Sequence, residues 1–379
     1  MSEGLGFMMV LMRFINGLWQ NRFLNKNNIL MDNDTITVRA DERFDESRLA
    51  EYLQGKLEGS EKALTVRQFS GGAANLTYLL DYGEFEYVLR RPPLGPVAPS
   101  SHDMAREFKV LSVLHEAFPY APQAFLLCAD PDVIGAPFFI MDRRRGVVIR
   151  RNLPKEFSST PEAPLCLSEA IIDVLAKFHK VDYNVLGLSE LGKPEGFISR
   201  QVNGWYTRWE KAKHREMAEM DEIYAWLENN LPDSRHYSLV HNDYKLDNIM
   251  FSKNSPKEVV AVFDWDMCTL GDPLSDLGSL LSYWSEPSDP EFLRKAAMMP
   301  TENGFLFRNE LLERYSKMIG RDISDIKFYH VLGLFRVVGI VAQIYIRYVR
   351  GQTEDKRFAI FGDLIPFLAQ SALNLIQEP

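Results

Sequence analysis

One stretch constrains this chain more than any other: residues 239–278, which read LVHNDYKLDNIMFSKNSPKEVVAVFDWDMCTLGDPLSDLG. A short apolar run predicts a strand just before Asp243, and Asn248 lies five residues beyond that acid. A second apolar, β-branched run over residues 259–263 predicts another strand, which leads directly into Asp264. The stretch therefore predicts two strands whose ends present a carboxylate, an amide and a second carboxylate.

Residues of these types suit phosphoryl transfer, which needs an oriented nucleophile and cations that neutralise the phosphate oxygens. Asp243 only accepts hydrogen bonds when ionised, so it can orient and deprotonate an alcohol. Asn248 and Asp264 offer hard oxygen ligands suited to Mg²⁺, and Lys245 can reach a transferring phosphate as a point charge. Each fragment alone is typical of a loop, a turn or a helix cap. The ordered set instead predicts a kinase-type catalytic loop followed by a metal loop.

The segments HNDYKLDNIMF and VFDWDMCTLGDPLSDLG resemble the aminoglycoside phosphotransferase and choline-kinase-like family. That family typically carries a His-Gly-Asp loop, where this chain has Asn242, and an Asp-Trp-Glu-like setting, where this chain has Asp266. Neither departure removes a group that the chemistry needs. The resemblance implies an α+β, two-lobed protein-kinase-like fold, with a small β-rich N-lobe and a larger helical C-lobe.

The resemblance covers roughly residues 40–375 and implies a division of the chain into an N-terminal extension, 1–35, an N-lobe, 36–142, and a C-lobe, 143–379. Within residues 1–30, an apolar run is interrupted by Arg13 well before the length of a membrane span. We expect a poorly packed extension or an upstream start codon there, with an interfacial amphipathic helix as the alternative.

The nucleotide side of the site is expected in the N-lobe, where a β-hairpin precedes a third strand. The hairpin turn reads SGGAAN over residues 70–75, and its small side chains would let backbone N–H groups approach nucleotide phosphates. Most hairpins contain glycine, so the glycines alone are weak evidence for nucleotide binding. The position of the turn ahead of the predicted catalytic loop is what favours that role. The candidate nucleotide-contacting residues in this turn are Ser70, Gly71, Gly72 and Asn75.

The third strand ends at Arg90 and Arg91, and the family's apolar-apolar-cation pattern implies that Arg90 binds phosphate while Arg91 faces the opposite side. Protein kinases use lysine here, but arginine is a competent and even bidentate ligand. Glu107, on the next helix, is the acid that the resemblance pairs with Arg90. The alternatives are a solvated edge-strand pair of arginines and a surface glutamate. The following strand, with Met141, is expected to lead into a hinge that contacts adenine.

Other residues receive supporting roles. The run of arginines over 143–145 is expected to be solvated at the surface, and His179 is expected to be structural. Asp276 is expected to be a fully hydrogen-bonded buried acceptor that stabilises the catalytic-loop backbone. Asp266 is either a further metal ligand or a group that orients one.

Composition excludes some classes of protein. The formal charge of −9 argues against a nucleic-acid binder, which would carry a basic patch. Three cysteines, Cys128, Cys166 and Cys268, have neither metal-site nor disulfide-framework spacing, which fits a reducing, cytoplasmic setting. We therefore expect a small-molecule substrate, no nucleic acid and no transmembrane segment, while the oligomeric state stays open.

We predict ATP and Mg²⁺ as cofactors and a hydroxyl group as the phosphate acceptor. Residues 334–351 are similar to a subgroup that occurs as bacterial single proteins and as the kinase-like domain of certain acyl-CoA dehydrogenases. That similarity implies a hydroxy acid or its acyl-CoA thioester as substrate. The candidates for binding its anionic group are Arg336, Arg347 and Arg350, and the alternative is that they are ordinary charges at a helix end, which is favoured for Arg350. The alternatives are an aminoglycoside-type kinase and a catalytically silent nucleotide-binding protein.

Overall fold

The computed structural model describes residues 34–69, 75–93, 103–233, 236–297, 299–300, 303–353 and 355–378. Most of the predicted N-terminal extension lies outside this range, as do Ser70, Gly71 and Gly72 of the predicted nucleotide turn.

The N-lobe is built on one antiparallel sheet. Its strands are β1 (Thr35–Ile36), β2 (Thr65–Phe69), β3 (Leu76–Asp81), β4 (Glu86–Arg91), β5 (Ala124–Cys128) and β6 (Phe138–Asp142). They lie in the order β1–β2–β3–β4–β6–β5, so β4 and β6 are interior strands. Helix α1 (Glu46–Leu53) and helix α2 (Met104–Leu114) complete the lobe.

Alternation along β6 distributes its side chains between the two faces of the sheet. Phe138 and Ile140 pack in the cluster that contains α1, whereas Phe139 and Met141 pack in the cluster that contains α2. Helix α2 begins after Asp103, whose side chain accepts hydrogen bonds from two backbone N–H groups of the first turn. This end-cap and the buried face of α2 fix Glu107 beneath the sheet.

The C-lobe is mainly helical. Its helices are α3 (Ala163–Phe178), α4 (Phe197–Ala212), α5 (Ala218–Asn229), α6 (Leu274–Tyr283), α7 (Glu291–Ala296), α8 (Arg308–Ile319), α9 (Ile326–Val349) and α10 (Phe361–Gln377). Its short strands are β7 (Val147–Val148), β8 (Ser238–Val240), β9 (Ile249–Ser252), β10 (Ser255–Val262) and β11 (Thr269–Gly271). They form a β10–β9–β7 sheet and a β11–β8 pair. The α+β, two-lobed architecture predicted from the sequence is confirmed.

The arginines that follow β6 differ from the expectation that all are solvated. The Arg143 side chain is only 3% exposed and pairs with Glu86 at 2.6 Å and with Asp34 at 3.2 Å. The expectation was wrong for Arg143 because the antiparallel register of β4 and β6 places Glu86 beside the end of β6.

Helix α9 is the central helix of the C-lobe and packs against α4, α6 and α10. It crosses α6 at two glycines, where a Cβ on Gly333 would lie 2.6 Å from the carbonyl oxygen of Gly278. Because the helix backbones meet there without side chains between them, the crossing holds α6, and Asp276 within it, close to the lobe core.

Two helical stretches of the described chain are long and apolar enough to cross a membrane: Ile326–Val349 and Lys356–Gln377. The most apolar window of the first is 67% buried inside the fold, and that of the second is 33% buried. Buried core helices share this composition, so the finding is weak evidence for a membrane span. The expectation of no transmembrane segment stays a prediction.

Substitution of Gly278 by alanine should destabilise the fold, because the new Cβ would overlap the backbone carbonyl of Tyr329 on α9. Overpacking of this kind costs about 1–3 kcal/mol, so urea unfolding should show a loss of that size.

The matched control is Gly204→Ala in α4, where the Cβ would meet only the flexible end of Arg208, at 3.2 Å. Alanine is the better helix former, so this variant should be as stable as the wild type or more stable. Equal stability of the two variants would contradict the close crossing.

Candidate active site

The loop that follows β8 is held by the buried carboxylate of Asp276. Its Oδ2 accepts a hydrogen bond from the His241 backbone N–H at 2.6 Å, and its Oδ1 accepts one from the Asn242 N–H at 2.7 Å. Asp276 is fully buried, as predicted for a carboxylate that stabilises the loop backbone. The predicted role of Asp276 is therefore confirmed.

His179 supports Asp276 from the other side. Its Nε2 lies 3.2 Å from the Asp276 carboxylate and its Nδ1 lies 2.7 Å from the Tyr315 hydroxyl, so the ring donates to the acid and accepts from the tyrosine. Burial would raise the pKa of Asp276, but hydrogen bonds from His179 and the loop backbone hold that pKa below its ordinary value. The structural interpretation of His179 is confirmed.

Asn242 explains why this chain can depart from a His-Gly-Asp loop. Its φ of 64° lies in the left-handed region, which asparagine tolerates better than most residues. Its side-chain Nδ2 donates to the carbonyl of Met267 at 2.9 Å. The substitution therefore keeps the turn and adds a link between the two loops.

His241 makes a second link between the loops, which the sequence did not predict. Its Nδ1 accepts a hydrogen bond from the Asp243 backbone N–H at 3.2 Å, and its Nε2 lies 2.9 Å from the Phe263 carbonyl. The ring is fully buried against Trp265. The sequence signal that could have identified this link is a histidine two residues before the proposed base, together with the predicted strand that ends at Phe263.

The catalytic loop brings Asp243, Lys245 and Asn248 together. Lys245 Nζ lies 2.9 Å from Asp243 Oδ2, and Asn248 Nδ2 donates to the same oxygen at 3.0 Å and to the Asp243 carbonyl at 2.9 Å. Burial opposes the Lys245 charge, but the Asp243 carboxylate keeps the lysine pKa above its ordinary value. The amide of Asn248 is thus oriented by its NH₂ group, which leaves its carbonyl oxygen available as a ligand.

Arg90 joins the two lobes. Its Nε lies 3.1 Å from Glu107 on α2, and its Nη2 lies 2.5 Å from Asp264 Oδ1 in the C-lobe. Burial raises the pKa of Glu107 to about 7, and the guanidinium of Arg90 opposes that rise. Burial likewise favours protonation of Asp264, but Arg90 holds its pKa below the ordinary value. The predicted Arg90–Glu107 pair is present.

Arg91 faces the opposite side of β4, as predicted. It is 2% exposed, and its guanidinium donates to the carbonyls of Ile134 and Glu42 at 3.1 and 2.9 Å. A solvated edge-strand pair of arginines is therefore wrong, because β4 lies in the interior of the sheet.

Two carboxylates, those of Asp264 and Asp266, lie close together after strand β10. Asp264 has a φ of 70°, and the turn that follows it brings Asp266 close. Burial and the charge of Asp264 raise the pKa of Asp266 to about 6, with a smaller contribution from Asp243. Within the described ranges no group of three or more His, Cys, Asp or Glu side chains is positioned to hold a metal unaided. The donor set fits Mg²⁺ when the Asn248 oxygen and phosphate oxygens supply further ligands.

The remaining predicted residues differ in how far the fold buries them. Asn75 is 5% exposed at the start of β3, and Met141 is 6% exposed between its two neighbouring strands. Arg336 is 7% exposed within α9, whereas Arg347 and Arg350 are exposed near its end. Of the three arginine candidates for an anionic group, the fold therefore buries one.

Tyr283 is a site residue that the sequence did not predict. It lies at the end of α6, and its ring centroid is 5.2 Å from Lys245 Nζ. Burial, followed by the charge of Asp243, raises the pKa of its hydroxyl. A tyrosine ten residues beyond Pro273 carried no motif, so only the packing of α6 identifies it.

Residues 65–301 match the sequence profile of the phosphotransferase enzyme family, APH. Acyl-CoA dehydrogenase family member 11 from Rattus norvegicus is 32% identical over 351 residues, covering 90% of this chain and 44% of the relative. The Mus musculus protein of the same name is 34% identical over 352 residues, with coverage of 90% and 44%. The chain thus spans less than half the length of these curated relatives.

The fold comparison leads to the same family. A crystal structure of a candidate aminoglycoside phosphotransferase from Ralstonia eutropha superposes with a TM-score of 0.75 at 29% identity, covering 88% of this chain and 98% of that one. The streptomycin–ATP complex of APH(2″)-IIa shares the fold with a TM-score of 0.53 at 20% identity, covering 79% and 90%. The predicted protein-kinase-like fold is confirmed.

Replacement of Asp276 by asparagine should loosen the catalytic loop, because an NH₂ group would face a backbone N–H that now donates to a carboxylate. An unsatisfied buried donor next to a lost charged hydrogen bond costs about 3 kcal/mol, measurable as a lower urea midpoint. Asp41→Asn, at an exposed position, is the control and should unfold like the wild type. A wild-type midpoint for Asp276→Asn would contradict this role.

Proposed function

Because this chain belongs to the phosphotransferase enzyme family, we propose that it is a kinase that transfers the γ-phosphate of Mg-ATP to a hydroxyl group of a small molecule. The observation that carries the proposal is the convergence of Asp243, Lys245 and Asn248 in one loop, which contacts the residue before Asp264 through a hydrogen bond from the Phe263 N–H to the Asn248 carbonyl. This arrangement contains a base and two oxygen ligands in the order that phosphoryl transfer uses.

Asp243 would accept the hydroxyl proton of the acceptor as its oxygen attacks the γ-phosphorus. Asn248 donates to its carboxylate, and its backbone N–H donates to His241 Nδ1, so Asp243 keeps its orientation without the substrate. Lys245, 2.9 Å from the same carboxylate, would turn its charge toward the transferring phosphoryl group. A preorganised base and cation lower the barrier because little reorganisation remains during the reaction.

Arg90 would bind nucleotide phosphates from the N-lobe side. Its guanidinium lies between Glu107 and Asp264, and its planar donor array can hold Glu107 while it turns other N–H groups to phosphate oxygens. The turn at residues 70–75 would cover the nucleotide, and Met141 would line the approach to adenine.

Asn248 and Asp264 would hold Mg²⁺, with Asp266 close enough to join or orient the set. The ion would neutralise charge on the β- and γ-phosphate oxygens. Burial, followed by the charge of Asp264, raises the pKa of Asp266 to about 6, and a bound cation would favour the ionised form of both acids, which supports this assignment.

The proposed acceptor is a hydroxy acid or its acyl-CoA thioester. Two observations support it: the curated relatives carry acyl-CoA dehydrogenase names, and the buried guanidinium of Arg336 lies near the site. An aminoglycoside-type acceptor is the second candidate, supported by the Ralstonia eutropha structure at 29% identity. A polycationic acceptor would meet repulsion from Arg336, so the acid is favoured.

Asp243→Ala should lower kcat by about 10²–10⁴ while the protein remains folded, because a positioned general base contributes a factor of that size. A coupled assay for ADP release measures kcat, and circular dichroism checks the fold. Asp322→Ala, at an exposed position on a C-lobe loop, is the control and should keep wild-type kcat. Wild-type kcat in a folded Asp243→Ala protein would exclude Asp243 as the base.

A panel of acceptors tests the substrate class. With Mg-ATP, short hydroxy acids and hydroxyacyl-CoA thioesters should release ADP, whereas aminoglycosides should not. The reverse pattern would identify the second candidate. Stabilisation by ATP that needs no Mg²⁺, without turnover of either panel, would instead favour a catalytically silent nucleotide-binding protein.

A further inference from the structure

Arg336 is a buried cation for which the described part of the chain provides no counter-charge. The residue is 7% exposed, and its Nε is buried without a hydrogen-bond partner among the described residues. Its Nη2 lies 3.7 Å from the sulfur of Met267, which is only a weak acceptor. Burying an unpaired charge is costly, so a guanidinium in this state indicates that an anion completes it.

A second arginine shares the same aromatic surface. The guanidinium of Arg336 lies 5.3 Å from the Trp205 ring centroid, and that of Arg208 lies 4.7 Å from it. Trp205 can pack this closely on α9 because Gly339 leaves room, with only 3.0 Å from its ideal Cβ position to the ring. Two cations near one ring repel each other, and an anion between them would relieve that repulsion.

Arg336 connects this pair to the proposed catalytic residues. Met267, which contacts Arg336, follows Asp266 directly in the turn after Asp264. Arg336 also acts on the hydroxyl of Tyr283, whose ring lies 5.2 Å from Lys245 Nζ. Arg336 and Arg208 both belong to C-lobe helices, whereas Arg90 belongs to the N-lobe sheet. An anion bound there would therefore be part of the acceptor rather than of the nucleotide.

We propose that Arg336 and Arg208 form a subsite that binds an anionic group, a carboxylate or a phosphate, of the acceptor alcohol. The proposal rests on the kinase function proposed above. Arg336 provides the buried planar donors, which match a carboxylate or phosphate in a bidentate manner, and Arg208 closes the subsite from its exposed side. Trp205 keeps the two guanidinium groups on one surface.

The first experiment measures binding without turnover. Thermal unfolding of the wild type is followed with sodium butyrate, with inorganic phosphate and with neutral butyramide, all at constant ionic strength. Butyrate, phosphate or both should raise the unfolding midpoint, and butyramide should not. The two anions distinguish a carboxylate subsite from a phosphate subsite. No shift with either anion would overturn the proposal.

Variants then locate the binding. Arg336→Met keeps the side-chain volume and removes the charge, so the effect of the anion should disappear, while Arg208→Met should reduce it. Arg321→Met is the matched control, because Arg321 is an exposed arginine on the loop before the same helix, and it should respond like the wild type. Without anion, Arg336→Met should unfold no earlier than the wild type, since the lost charge had no partner. An undiminished anion effect in Arg336→Met would overturn the proposal.

Arg336→Lys keeps the charge but not the planar fork, so it should retain only part of the effect and serves if Arg336→Met fails to fold. In turnover, Arg336→Met should raise KM for an acid acceptor by about 10–100-fold and leave KM for ATP unchanged. A rise in KM for ATP alone would overturn the proposal in favour of a nucleotide contact. Because the anion effect needs no catalysis, absence of kinase activity would refute the proposed function and leave the binding result for Arg336 intact.

Discussion

The carboxylate of Asp276 accepts hydrogen bonds from two consecutive backbone amides, those of His241 and Asn242, at 2.6 and 2.7 Å. Backbone N–H groups at the end of a buried strand must find acceptors, and here a side chain from helix α6 provides both. The position of Asp243 therefore depends on how α6 packs, and α6 is held against α9 by the crossing at Gly278 and Gly333. Through these contacts the core of the C-lobe determines the position of Asp243, the proposed base.

Arg90 is one of the charged contacts between the lobes. Its guanidinium pairs with Glu107 of α2 and with Asp264 after β10. One positive charge on the N-lobe sheet therefore bridges a carboxylate of the N-lobe and a carboxylate of the C-lobe. Burial opposes the ionised state of both acids; the arginine outweighs this effect at Asp264, whose pKa is lowered, but only reduces it at Glu107, whose pKa stays raised. An incoming polyphosphate would compete with these carboxylates for the same N–H groups. The arrangement of the lobes and the charge of the bound ligand are thus physically connected.

The sequence predicted the parts of the site whose residues lie in one local pattern. Asp243, Asn248 and Asp264 follow strand ends at fixed spacing, and Asp276 follows shortly after, so local reasoning was sufficient for their placement. Local reasoning was not sufficient where contacts between residues distant in sequence determine the environment. The burial of Arg143 depends on strand register. The approach of Arg208 to Arg336 depends on how two distant helices pack. Tyr283 likewise becomes recognisable only when the packing of α6 places its ring near Lys245.

Asn242 combines a left-handed backbone with a side-chain bond to Met267, whereas a glycine could provide only the first. The same residue that forms the turn therefore also joins the two loops through its side-chain hydrogen bond. In the unfolded chain asparagine also samples fewer backbone states than glycine, so less configurational entropy is lost when the turn forms. A loop fixed in this way should behave as one rigid body with its neighbour, with a narrow distribution of distances between the carboxylates of Asp243 and Asp264 even before any ligand binds.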